Sequence, residues 1–220
     1  KEEKNLYFEK IWQLPEVLQC FSPPKYNLVT AQSPFKKNRY ITFGSLNKLQ
    51  KINNEVIKLW SQVLNSVSNS RIIIKCDEFA NDEIKKNILG KFKKNGVSSD
   101  LISLLGKLEK REEAIKLYNS IDINLDTFPF QGNTTTCEAA WMGVPTLTLK
   151  GDRFLFHFGE AINANLGLKD WIAENKKDFV EKSKKLTEDI SYLSELRKGL
   201  RNQLLKSPIC DAPRLANHFD

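Results

Sequence analysis

With 220 residues, 40% of them hydrophobic and 28% charged, the chain is long enough for one large domain or two small ones and is too apolar to be disordered. No apolar run approaches the ~20 residues that span a bilayer and no apolar h-region follows the N-terminus, so no membrane partner is expected. The 34 Lys and Arg against 27 Asp and Glu leave a formal charge of +7, which suits an anionic partner; lysines such as Lys85, Lys86, Lys93 and Lys94 are spread over helix faces with no aromatic-interleaved basic stripe, so no nucleic-acid interface is expected.

Leu14-Pro15, Pro23-Pro24 and Ser33-Pro34 interrupt the first 38 residues. Each proline biases its predecessor toward extended backbone, which predicts an irregular lead-in over 1–38, lying across a neighbouring surface. The chain opens on Lys1 and not on Met, and we expect it to derive from something longer. From Arg39 the pattern turns regular. Tyr40-Ile41-Thr42-Phe43 is a short β-rich run ending in Gly44-Ser45, after which Ile52, Val56, Leu59, Trp60, Val63 and Leu64 recur at helical spacing. Residues 71–76 are a continuous branched run of the kind buried on both faces of a sheet, and 81–95 is a helix closed by Gly96. A third strand is expected over 101–105, a helix over 111–121 and a fourth strand over 123–125. After a polar loop, 135–142 reads as a helix, Gly143-Val144-Pro145 as a turn and 146–149 as a fifth strand. This order implies an α/β fold, a Rossmann-like doubly wound parallel sheet with right-handed crossovers. Beyond Gly151 no further strand is expected; 153–164, 177–191 and 193–206 carry helical spacing, and Lys206-Ser207-Pro208 closes the last. We read 39–206 as one domain with additional C-terminal helices and 207–220 as a tail.

The four cysteines, Cys20, Cys76, Cys137 and Cys210, lie far apart with no C-x-x-C pair. That spacing argues against a metal site or a disulfide framework and for reduced thiols in a cytoplasm.

In an open α/β sheet a ligand sits outside the carboxyl ends of the strands, where strand order reverses. Two strand ends carry suitable chemistry. After the first, Gly44 permits close backbone approach and Lys48 supplies a cation about one turn beyond. After the fourth, Gly132-Asn133-Thr134-Thr135-Thr136-Cys137-Glu138 puts hydroxyls at the opening of a helix. Amides there lack intrahelical acceptors and carry the positive end of the dipole, so they receive phosphate oxygens. Thr134, Thr135 and Thr136 add hydroxyl donors, and Glu138 can accept from sugar hydroxyls. The local alternative is that Asn133 or a threonine caps the helix and Glu138 only meets the dipole. His157, at an aromatic-rich helix start, is either a packing or capping group or a cleft residue. Cys137 reads as a small apolar filler, and Trp60, Trp141 and Trp171 as packing groups.

Residues 125–149, L-D-T-F-P-F-Q-G-N-T-T-T-C-E-A-A-W-M-G-V-P-T-L-T-L, resemble the donor-binding signature of the O-GlcNAc transferase and SPINDLY family of protein O-glycosyltransferases. Phe43-Gly44-Ser45-Leu46-Asn47-Lys48 with Lys51-Ile52, the Gly151-Asp152-Arg153-Phe154 opening and the Lys206-Ser207-Pro208 ending fit the same family in the same order. The resemblance implies the C-terminal, donor-holding half of a GT-B enzyme, in which two Rossmann-like halves face across a cleft, usually behind a helical TPR region.

Position by position, the resemblance implies that Lys48 contacts the donor diphosphate, with Ser45 near the same phosphates where the family often has glutamine. It implies that Gly132, Asn133, Thr134, Thr135 and Thr136 form the phosphate-cradling loop and that Glu138 binds ribose. His157 stands where relatives often place arginine. The chain departs from the histidine-bearing members at Asn133 and at Ala114, and its loop leans toward the SPINDLY branch. The implied reaction is metal-independent, inverting transfer of a sugar to protein Ser or Thr hydroxyls, with no cofactor beyond the nucleotide-sugar donor. UDP-GlcNAc is the favoured donor and GDP-fucose the rival. The implied partners are the nucleotide sugar, an acceptor protein or peptide, and the missing N-terminal catalytic half with its TPR region. Without that half, the chain is expected to bind donor and not to be catalytically complete; a purely nucleotide-binding module is the alternative.

Overall fold

Branched and apolar runs make the sheet. In the computed structural model, which describes residues 7–219, the strands are β1 (Ile41–Ser45), β2 (Ser70–Lys75), β3 (Ile102–Leu105), β4 (Ile123–Leu125), β5 (Thr146–Leu149) and β6 (Ile172–Ala173). All neighbouring pairs are parallel, in the order β3-β2-β1-β4-β5-β6. Every residue of β1, β4 and β5 is buried, as strands covered by helices on both faces require. The chain winds outward from β1 through β2 to β3, then returns to the other side of β1 to lay down β4. The crevice at the carboxyl ends of β1 and β4 is therefore the topological switch point.

Caps and apolar faces set the helices. A short helix, α1 (Phe35–Asn38), precedes the sheet. The next, α2 (Asn54–Ser66), starts where the Asn53 side chain accepts from the Val56 amide at 3.0 Å and buries Val56, Leu59, Trp60 and Val63. In α3 (Asp82–Lys94), Asp82 and Glu83 open and Lys91, Lys93 and Lys94 close the helix, matching its dipole at both ends. The expected helix over 111–121 divides into α4 (Arg111–Lys116) and a 3-10 turn, Leu117–Ser120. Buried at six of its eight positions, α5 (Thr134–Trp141) lies within the fold. It is followed by α6 (Phe158–Asn165), α7 (Lys176–Glu188), α8 (Ile190–Leu205) and α9 (Ala212–Ala216). Trp60, Trp171, Tyr118, Phe43, Phe79, Phe92 and Phe179 are the largest fully buried side chains. No helix among the described residues is long and apolar enough to cross a membrane.

Two expectations are corrected. Strands do not stop at Gly151: β6 pairs with β5 in parallel, Thr148 opposite Ile172 and Leu149 opposite Ala173. Two residues are too few to show a period, so only the sheet edge reveals them. The helix expected over 153–164 is a 3-10 turn, Phe154–Phe156, and then α6. Phe156 turns inward against Gly151, where a Cβ would meet its ring at 2.1 Å, and stacks on Phe128 with centroids 6.1 Å apart.

The first six residues of the lead-in lie outside the described range. Residues 7–38 carry only α1 and cross the molecule in extended form, burying Val17, Phe21 and Leu28. Arg197 of α8 is 3% exposed and donates to Ala31 O at 2.8 Å and Ile121 O at 2.7 Å. Asp122, just before β4, accepts from the Thr42 amide at 2.9 Å, the Phe35 amide at 3.2 Å and the Ser33 hydroxyl. The segment 207–219 holds a 3-10 turn and α9, and Ile209 O accepts from the Phe21 amide at 2.7 Å.

Candidate functional site

The crevice at the switch point is a cleft of about 760 Å³, within the size range of small-molecule sites. Asn47, Lys48 and Lys51 line it after β1, Lys75 to Glu78 after β2, Arg111, Ala114 and Ile115 from α4, and Phe130, Asn133, Thr134, Thr135 and Glu138 from the loop and first turns of α5. Leu155 and Phe158 complete the lining.

The loop after β4 is held from below. Asp126 is buried, and its Oδ1 accepts from the Thr127 amide at 2.8 Å and the Gly132 amide at 2.7 Å. Its Oδ2 accepts from Thr148 Oγ1 at 2.7 Å. Burial pushes the Asp126 carboxyl up to about 6, against the pull of those donors and of Lys51. Gln131 spans the gap to the next layer: its Nε2 donates to Leu149 O, and its Oε1 accepts from the Gly159 amide at 2.6 Å. Gly132 is required by space, since a Cβ there would stand 2.6 Å from Thr136 Oγ1 and 2.9 Å from Thr135 Oγ1.

At the start of α5, Asn133 O accepts from the amides of Thr136 and Cys137, each at 3.1 Å, and the Asn133 side chain makes no capping hydrogen bond. Among the described residues the Thr134 and Thr135 amides have no acceptor, and both residues line the cleft. An uncapped helix N-terminus at the wall of a cleft is a receptor for an anion. The turn is braced on both sides: Tyr118 Oη donates to Thr135 O at 2.8 Å, and Thr135 Oγ1 donates to Asn47 Oδ1 at 3.0 Å.

Several expected site residues stand elsewhere. Ser45 is fully buried, and its hydroxyl accepts from Asn47 Nδ2 at 3.2 Å; it supports the cleft wall and is absent from the lining. Thr136 is buried behind the wall, its Oγ1 unpaired, because two residues along a helix carry a side chain to the opposite face. The Gly132 amide is committed to Asp126. His157 lies outside the lining, its Nδ1 2.7 Å from Glu160 Oε2. Burial pushes the Cys137 thiol up to about 12, which leaves it an apolar filler.

Cations are placed differently from the sequence expectation. Lys48 lines the cleft with no hydrogen bond to the loop, while Lys51 Nζ donates to Gln131 O at 2.7 Å and stands 3.8 Å over the Phe130 ring. Burial lowers the Lys51 pKa, opposed by the charge of Asp126 and reinforced by that of Lys48. The available signal was only that a second lysine follows Lys48 by three residues, at the end of the 3-10 turn Leu49–Lys51. Glu138 is ion-paired with Arg111 Nη2 at 2.6 Å. Burial raises the Glu138 carboxyl and Arg111 pulls it back down. Arg111 and Asp126 were not singled out from sequence.

The family described as Glycosyl transferase family 41 matches residues 19–219. The chain is 36% identical over 219 residues to a probable UDP-N-acetylglucosamine–peptide N-acetylglucosaminyltransferase SPINDLY of Eustoma exaltatum subsp. russellianum, covering 100% of this chain and 24% of that protein. A protein of the same description from Arabidopsis thaliana is 34% identical, with 98% and 24% covered. Among solved structures, an O-GlcNAc transferase mutant from Thermobaculum terrenum superposes with a TM-score of 0.87 at 25% identity, over 100% of this chain and 41% of that one. The chain thus spans about a quarter of the length of these curated relatives.

Proposed function

The chain belongs to glycosyl transferase family 41, and from that premise we propose that its cleft binds a nucleoside diphosphate sugar, UDP-GlcNAc in the first reading, for inverting transfer to protein Ser or Thr hydroxyls. One observation carries the proposal: Thr134 and Thr135 line the same cleft as Lys48 and Lys51, and their amides have no acceptor among the described residues. A diphosphate seated there meets a helix dipole, the Thr134 hydroxyl and two ammonium groups, while the Thr135 hydroxyl stays bonded to Asn47. Further along, Glu138 and Arg111 meet the ribose, and the space beside Ala114 takes the base. Leu155 and Phe158 wall the sugar.

As the acceptor oxygen attacks the anomeric carbon, the bond to the diphosphate breaks, its electron pair leaves with the phosphate, and the hydroxyl proton passes to the departing diphosphate. The growing charge on that leaving group is what Lys51 and the α5 amides stabilise, without a metal ion. Lys51 is the better placed of the two lysines, because its ammonium already reaches the loop. Transfer itself belongs to the longer protein, since this chain spans about a quarter of its relatives; the chain alone holds the donor.

A second reading, a guanosine diphosphate sugar such as GDP-fucose, is favoured by Asp77 and Glu78 in the lining of the cleft. A carboxylate there matches the adjacent N1–H and N2 amino donors of guanine. Calorimetry with UDP, GDP and their sugar conjugates separates the two. We expect saturable binding of one base, weakened at least about tenfold by Lys51→Ala and less by Lys48→Ala, in keeping with one charge-assisted bond. Silence of the wild-type chain toward both bases rejects the proposal.

A further inference from the structure

We propose that Asp126 is the positioning residue of the anion loop: its carboxylate holds the 127–132 turn in the shape that leaves the Thr134 and Thr135 amides at the cleft. This rests on the donor-binding reading of the cleft and adds to it a residue that touches no ligand.

The carboxylate sits directly after β4 at the switch point and is 1% exposed. Its Oδ1 gathers the amides at both ends of the turn, Thr127 and Gly132, onto one oxygen. Its Oδ2 takes the Thr148 hydroxyl of β5, and its main-chain oxygen takes Trp60 Nε1 at 3.3 Å from α2. The turn is thereby referenced to a strand and a helix at once. Neighbouring backbone is cut to fit: a Cβ on Gly159 would stand 2.4 Å from Asp126 Oδ2, and one on Gly132 would stand 3.2 Å from Oδ1. Loops carrying binding amides keep their geometry only when such supporting bonds are made.

Geometry, and not charge, is what this carboxylate supplies. The cation nearest in electrostatic effect is Lys51, yet its ammonium is bonded to Gln131 O and forms no ion pair with Asp126. The other ionisable group that feels Asp126 is Tyr118, itself fully buried. An asparagine reproduces every bond: its oxygen accepts the Thr127 and Gly132 amides, and its Nδ2 donates to Thr148 Oγ1, which turns to accept. An alanine keeps only the main-chain bond from Trp60 and loses all three that the carboxylate makes.

The test is calorimetry of the 220-residue chain with UDP and with GDP, for wild type, Asp126→Asn and Asp126→Ala, each first checked for a cooperative melt. With the base that wild type prefers, Asp126→Asn should bind within about threefold of wild type and Asp126→Ala at least about tenfold more weakly. A folded Asp126→Asn that loses binding tenfold overturns the proposal, because charge would then be the property that matters. Wild-type-like binding by a folded Asp126→Ala overturns it too. Should Asp126→Ala not fold, the asparagine variant decides alone. A wild-type chain that binds neither nucleotide fails at an earlier point: the donor-binding reading falls, and the positioning role falls with it.

Discussion

Asp122 and Asp126 flank β4, one before its first residue and one after its last, and both are buried. They differ in what they hold. Asp122, at the amino end, gathers the Ser33 hydroxyl and the Phe35 and Thr42 amides, and the buried guanidinium of Arg197 stands within electrostatic reach. Arg197 in turn bonds carbonyls of the lead-in and of the chain before β4. Asp126, at the carboxyl end, holds a turn whose next residues line a cleft, and the cation that acts on it, Lys51, also lines that cleft. Burial of a carboxylate therefore does not separate scaffold from site. The elements it ties together do.

The comparison breaks most visibly at Asp122. Asp122→Ala strips the Ser33 hydroxyl and the Phe35 and Thr42 amides of their buried acceptor and takes a negative charge from the surroundings of Arg197, a loss of about 3 kcal/mol or more. Urea or thermal denaturation should show that loss, with nucleotide affinity of the remaining folded protein unchanged. A shift below about 1 kcal/mol would remove Asp122 from the scaffold.

A smaller effect sharpens the contrast through pH. The Asp126 carboxyl is pushed from 3.8 up to about 6, so the folded chain holds that proton more tightly than the unfolded chain does. Its contribution to stability is complete below about pH 4 and is lost as pH rises through about 6, on the order of 3 kcal/mol in all. Asp122 and Glu138 are raised by burial as well and act in the same direction. In the difference between wild type and Asp126→Asn those two cancel. The urea midpoints of the two proteins should therefore diverge from pH 4 to pH 7, with wild type losing ground, and run level above that. Parallel curves would mean that Asp126 titrates in the fold as it does in the open chain.

What could be read from sequence follows from how local each cause is. Residues 71–76 announced a strand because branching lies in the run itself, although burial on both faces is not met: Ile72 and Ile74 are buried while Arg71 is exposed. The Asn81 start sits beside the helix it caps. The Gly132–Glu138 segment was legible because the chemistry of an anion receptor, a glycine turn and hydroxyls at a helix start, is contiguous. β6 was not legible, since two residues pair only because β5 is there. Thr136 was placed in the cleft and is buried, a matter of helical phase that a run of three threonines leaves undetermined. Lys48 was singled out by its place about one turn after β1 and by the resemblance, but which ammonium meets the loop depends on Gln131 and Phe130, some 80 residues away in sequence. Arg111 finds Glu138 across 27 residues, and Asp126 owes its importance to burial. Neither property is written in a local pattern.

The resemblance read from residues 125–149 and the whole-chain matches agree on family and on a GT-B-type fold. The central claim is narrower: a diphosphate rests against the first turn of α5. Backbone amide NMR of this chain during titration with UDP and with GDP reads that turn directly. The account predicts that the Thr134 and Thr135 amides shift most, while the Gly132 amide, held by Asp126, moves little. Saturable binding that leaves Thr134 and Thr135 unmoved would contradict it.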